Sequence, residues 1–356
     1  SAAAAVVVTS PFVADLRDAL RRAAGTSYGT VLNLLVLGAV GVALAAAAVR
    51  IRNRRAERYA AIVAACAAGV AYGWVNALPG IERFHFVEYG IVTVLFYRAV
   101  RPYVDRLTGG TTADPSLLIV PALAALIVAT ADEWVQWLVP RRYGEVRDLA
   151  LNTAAIGCGL LFSLGLDPPP GWRLRPTPRS LALMTMLGAA SVVVLGAFLA
   201  TVHLGYVIAD DEIGTFRSRH TASALLAIAD DRRTRWGGGA VPEPARLSRE
   251  DQYLTEGLWH VQMRNDAWGA GAIETAWREN RILEKYFGPV LTAGHAWPAA
   301  QRADAASRRG PSASGVFVSH AERYPILTWN KPLFAGAVLA AVFFLLAISF
   351  TSSRWC

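Results

Sequence analysis

Long apolar runs constrain this chain more than any other feature. They fall at about Thr30–Val49, Tyr59–Leu78, Phe84–Val100, Pro115–Val139, Val146–Leu166, Leu181–Ile208 and Pro332–Phe350. About 20 helical residues cross the ~30 Å of hydrocarbon in a bilayer. Inside that layer a backbone must satisfy its own polar groups, which a helix does. The expected fold is therefore all-α: a polytopic membrane helix bundle of about seven spans. A mostly helical extramembrane domain is expected between spans six and seven. With 54% hydrophobic and 17% charged residues, an ordinary soluble domain is excluded.

The net charge of +8 does not mark a nucleic-acid binder, because the arginines sit in short loops between apolar runs. The loops after spans one, three and five, with the tail, carry twelve arginines, against seven on the opposite side outside the long polar stretch. By the positive-inside rule the N-terminus lies outside and the C-terminus in the cytoplasm. The expected location is the bacterial inner (cytoplasmic) membrane, with the bilayer as one partner. Four segments are expected: an amphipathic arm (1–28), a six-span membrane domain (29–208), an extracytoplasmic helical domain (209–331), and a closing span with a short tail (332–356). In the arm, Phe12, Val13, Leu16 and Leu20 oppose Asp15, Arg17, Asp18, Arg21 and Arg22, the pattern of a helix lying on a membrane surface or docked on a partner.

Three of the runs carry polar groups that hydrocarbon does not tolerate. His85 and Glu88 open span three with Arg83, and Asp132, Glu133 and Gln136 close span four. Arg147, Asp148 and Asn152 open span five, preceded by Arg142. Their spacing of three or four residues puts each set on one helical face. Charges at membrane depth rarely face lipid, so the three faces are expected to turn toward one another near the extracytoplasmic surface. Two readings of such a cluster stand side by side. One is a network of internal pairs that fixes helix register. The other is a site where carboxylates hold an amine and arginines hold phosphate, with His85 or Glu88 moving a proton. No nucleophile is spaced to His85, one histidine with scattered carboxylates defines no metal set, and no cofactor motif occurs.

Arg83-Phe-His-Phe-Val-Glu-Tyr89, Asp132-Glu-Trp-Val-Gln136, Pro140-Arg-Arg-Tyr-Gly-Glu-Val-Arg-Asp148 and Leu151-Asn-Thr-Ala-Ala-Ile-Gly157 resemble the VanZ-like membrane family over about residues 60–165. The family takes its name from a glycopeptide-antibiotic resistance protein. The resemblance implies a membrane fold with an outer-face polar cluster, and no reaction.

In the polar stretch, helices are expected over Asp211–Trp236, from a start at Ser248 to about Asp266, and over Ala272–Phe287, with 237–244 as a linker and 299–315 as a loop. The dispersed His203, His220, His260, His295 and His320 suggest no ligand set. Trp236, Trp259, Trp268, Trp277, Trp297 and Trp329 are dense for the length; core is the commoner fate for any one of them, and the rest suit a contact surface. Phe12 and the first five of these tryptophans are the docking candidates. The expected function is a non-enzymatic accessory or scaffold subunit of a larger membrane complex, respiratory and photosynthetic assemblies being the types considered. The alternative is an outer-face protein that binds or modifies a lipid-linked cell-envelope or glycopeptide-type substrate through the His/Glu/Asp/Arg cluster.

Overall fold

The computed structural model describes residues 2–78, 82–139, 142–236, 252–308 and 317–353. The predicted linker 237–244, the helix start at Ser248, the stretch 309–315, Pro140, Arg141 and Arg354 lie outside the described residues.

The chain divides into two compact units, one made of residues 1–136, 142–198 and 335–356, the other of 137–141 and 199–334. The first unit holds α1 (Ala2–Ala24), α2 (Tyr28–Arg50), α3 (Arg55–Val75), α4 (Phe84–Thr108), α5 (Ser116–Leu138), α6 (Val146–Leu166), α7 (Pro178–Phe198) and most of α13 (Lys331–Ser353). Among the described residues, six helical segments are long and apolar enough to cross a membrane. α4 is not one of them, although its 25 residues are long enough. Glu88, Arg98 and Arg101 lower its hydropathy, and α4 instead packs against α6. The most polar of the expected spans thus packs on α6 along one face, with Tyr89, Val92, Thr93 and Tyr97 buried and Ile91, Leu95 and Arg98 exposed.

α6 is the axis of this unit. Gly159 lies so close to α4 that an added Cβ would sit 2.8 Å from Thr93 Cβ, and one on Gly165 would sit 2.6 Å from Ile62 Cγ1 of α3. Small residues that let helix backbones approach are the usual basis of packing in lipid. The last carbonyls of α6 have no partner within the helix. Arg58 donates to Gly165 O at 2.8 Å and also to Leu166 O, while Tyr97 Oη and Arg101 donate to Asp167 O at 2.7 and 3.2 Å. Cationic donors at a helix C-terminus also suit its dipole. α6 therefore ends in arginine, about 31 Å from its start at 1.5 Å per residue, one hydrocarbon thickness away.

α1 begins at Ala2 and not near Pro11, and it does not lie apart from the bundle. Val6 packs on the core of Tyr89, Val92, Ala125 and Ala129. By contrast, only 11% of the most apolar window of Asp15–Arg50 and 6% of that of α13 is buried within the chain.

The second unit contains a feature absent from the sequence reading. Tyr206–Asp210 (β1) pairs antiparallel with Gly214–Ser218 (β2), so span six does not run on to Ile208 and no helix begins at Asp211. A π turn over Leu199–His203 ends α7 instead. Val207, Ile208 and Thr215 are β-branched, and Gly214 at φ 120° takes a turn conformation that side chains avoid. Helices α8 (Ala222–Trp236), α9 (Gln252–Gly269), α10 (Ile273–Tyr286), the single turn α11 (Gly288–Val290) and α12 (Ala299–Arg308) follow. α12 replaces the first part of the expected 299–315 loop, since an Ala/Arg/Gln sequence favours helix. Ile208, Phe216, Leu225, Tyr253, Ile282 and Phe287 form the core. The two ends of the unit run side by side, with Gly205 N donating to Leu327 O at 2.9 Å and Leu327 N to His203 O at 2.7 Å.

Candidate functional site

The polar groups of α4, α5 and α6 meet. Asp132 and Glu133, 4% and 0% exposed, lie near the end of α5. Asp132 Oδ2 accepts from Tyr89 Oη of α4 at 2.9 Å and from Gln136 Nε2 at 2.9 Å. Glu133 accepts from Gln136 Nε2 at 3.3 Å, from Asn152 Nδ2 of α6 at 3.4 Å and from the Glu145 backbone N–H at 3.3 Å. Gln136 thus bridges both carboxylates, and its own Oε1 accepts from Arg142. That guanidinium polarises the amide, so the positive charge reaches the carboxylates through one hydrogen-bonded group.

His85 stacks on Tyr89 with centroids 6.1 Å apart and planes 3° from parallel. It lies within electrostatic reach of Asp148, Asp132 and Arg142, and Glu88 within reach of Asp132 and Arg142. His85 Nδ1 and Asn152 Oδ1 are buried without a partner at hydrogen-bond distance. In the loop ahead of α6, burial and the neighbouring Asp148 carboxylate push Glu145 up from its ordinary range. Burial lowers Arg142 despite the opposing pull of Asp132 and Glu133.

Two expected members sit at the rim. Arg83 donates to Asn33 Oδ1 of α2 at 3.3 Å instead of meeting the carboxylates. Arg147, 62% exposed, pairs with Glu82 at 2.6 Å and stands 3.6 Å from Asp148. His85 stacks on Tyr89 of its own helix, and across the helices Asn152 of α6 bonds Glu133 of α5. Sequence reasoning missed Tyr89, Glu82, Glu145 and Asn33 as participants. Asn33, a lone amide in an apolar span, was the one legible signal. Arg17 of α1 also lies within electrostatic reach of Arg142.

The docking candidates divide. Trp259 is 5% exposed, its ring edge-on to Tyr324 at 4.9 Å, so it belongs to the core and offers no surface. Trp236 leans on Tyr253 at 6.4 Å and packs on the same apolar core as Phe216. Trp268 and Trp297 pair at 5.4 Å, with Arg308 over the first and Arg264 over the second. Trp277 is half-buried, whereas Phe12 and Trp329 are 58% and 53% exposed. No group of metal-binding side chains occurs among the described residues.

Apolar spanning helices around a buried polar cluster define a multi-pass α-helical membrane protein. More particularly, residues 8–166 match the model of the VanZ/LLP1 family, so this region is similar to that family of membrane proteins. The match reaches further toward the N-terminus than the motifs alone imply, and takes in α2 and the larger part of α1. No curated protein and no solved structure matches the chain.

Proposed function

We propose that this protein is a non-enzymatic accessory or scaffold subunit of a larger membrane assembly. It would sit in a bacterial cytoplasmic membrane with its N-terminus and the 209–331 region outside and its C-terminus in the cytoplasm. One observation carries the reading: Asp132 and Glu133, the two acids at the centre of the cluster, are closed from solvent and committed to bonds within the chain. A substrate site would leave them facing an open pocket. The bareness of α2 and α13 agrees, since helices that bury so little against their own chain have surface left for other subunits or lipid.

Purification in mild detergent tests the proposal. The expected result is co-migration with other membrane subunits, and a monodisperse monomer would sink it. Glu133→Gln separates this reading from its rival. A neutral amide presents an N–H where Gln136 and Asn152 already donate, so the variant is expected to lower the amount of folded protein by severalfold, measured by fluorescence-detected size exclusion. Unchanged folded yield would weigh for the alternative, a site for a lipid-linked envelope substrate, which the unpaired His85 Nδ1 favours.

A further inference from the structure

At the arginine-capped end of α6 the chain turns through residues 167–177 before entering α7. Both flanking helices are long and apolar enough to cross the membrane, so this turn lies at a bilayer surface. It is held rigidly. Ala113 N donates to Gly171 O and Arg173 N to Ala113 O, both at 2.8 Å, and Thr177 N donates to the buried Asp114 carboxylate at 3.0 Å. On that frame Leu174 is 91% exposed and Trp172 47% exposed. Arg173, Arg175 and Arg179 are exposed around them.

We propose that this turn is a contact site for anionic phospholipid, with Trp172 and Leu174 seated in the headgroup layer and the three arginines holding lipid phosphates. A nearly fully exposed leucine on a fixed loop is costly in water and favourable at the acyl boundary, and tryptophan is at home at that depth. The charge is not cancelled locally, because none of the three arginines forms an ion pair with a carboxylate of the described residues. Arg58 and Arg101 donate to the same end of α6, which brings the arginine-rich start of α3 and the C-terminal turns of α4 to this face. Three nearby acids are already engaged, Asp105 with Arg101 at 3.0 Å, Glu57 with Arg54 at 3.8 Å and Asp114 with Ser116 and Thr177, which leaves Asp167 as the one acid of the turn against its three arginines. Arginine forks match phosphate oxygens.

Native mass spectrometry of the full chain in micelles with equal phosphatidylglycerol and phosphatidylcholine tests this. Each basic residue near an anionic surface is worth about fivefold in affinity. The wild type is expected to retain phosphatidylglycerol preferentially, and the R173Q/R175Q/R179Q variant to lose at least about tenfold of that preference. Equal retention of the two lipids by the wild type, or an unchanged preference in a folded variant, overturns the proposal. Should the variant fail to fold, a salt titration of the wild type decides. A preference that falls steeply with ionic strength supports the site, and one that is flat overturns it.

Discussion

Gly159→Val is expected to abolish the folded membrane unit, with a loss of about 3 kcal/mol or more. A Cβ at this position would stand 2.8 Å from Thr93 Cβ, 3.0 Å from Gly90 O and 3.2 Å from Gly90 Cα. Two of those atoms are backbone and cannot rotate away. Overpacking alone costs about 1–3 kcal/mol, and here the only relief is to push α4 away from α6. That movement would also stretch the polar cluster, which joins Tyr89 of α4, Asp132 and Glu133 of α5 and Asn152 of α6. Buried charged groups deprived of their donors would add several kcal/mol. Gly157→Ala on the same helix is the matched control, because its added Cβ meets nothing within 4 Å. Melting in detergent, followed by size exclusion, measures both. A Gly159→Val protein that melts with the wild type would show that α4 and α6 do not depend on this contact.

The contrast between these two glycines indicates what sequence could and could not show. α6 was legible as Val146–Leu166, because an apolar run with its one acid in the first turn and Asp167-Pro168 at its end has few alternatives. That three polar faces converge was legible too, since hydrocarbon gives charged groups few other places. Which group bonds which was not. Whether Asn152 turns to Asp148 or to Glu133 depends on rotations of α5 and α6 about their axes, set by contacts such as Gly159 on Gly90. The β-hairpin was missed because Tyr206-Val-Ile extends the hydropathy of span six, and a short apolar run does not by itself distinguish strand from helix. The turn Asp211-Glu-Ile-Gly214 was the available signal. Trp259 and Trp297 look alike in sequence, yet the first lies edge-on to Tyr324 in the core and the second is capped by Arg264.

In the second unit the largest effect is expected from Glu256→Ala. Glu256 and Arg219 are 3% and 8% exposed, with Arg219 Nε 3.5 Å from Glu256 Oε1. The same carboxylate accepts from Ser218 Oγ at 2.5 Å and from the Arg219 backbone N–H at 3.2 Å, so it fastens the end of β2 to α9. Arg219 continues the chain of bonds, donating to Val202 O at 3.2 Å and Tyr324 Oη at 3.0 Å, one from each strand end of the unit. Removing the carboxylate leaves a buried guanidinium without its counter-ion, which costs about 3–5 kcal/mol. The pair itself adds much less than that, because desolvation offsets most of its attraction. Removing both charges together, as Glu256→Leu with Arg219→Met, is therefore expected to recover most of the loss, to within about 1–2 kcal/mol of wild type. Tryptophan fluorescence reports on the site directly, since Trp259 abuts the Tyr324 ring whose hydroxyl Arg219 holds. If the double variant is instead as unstable as Glu256→Ala, the loss lies in the Ser218 and backbone bonds to Glu256 and not in an uncompensated charge. A Glu256→Ala protein within about 1 kcal/mol of wild type would mean that water reaches Arg219 and that this corner is not closed.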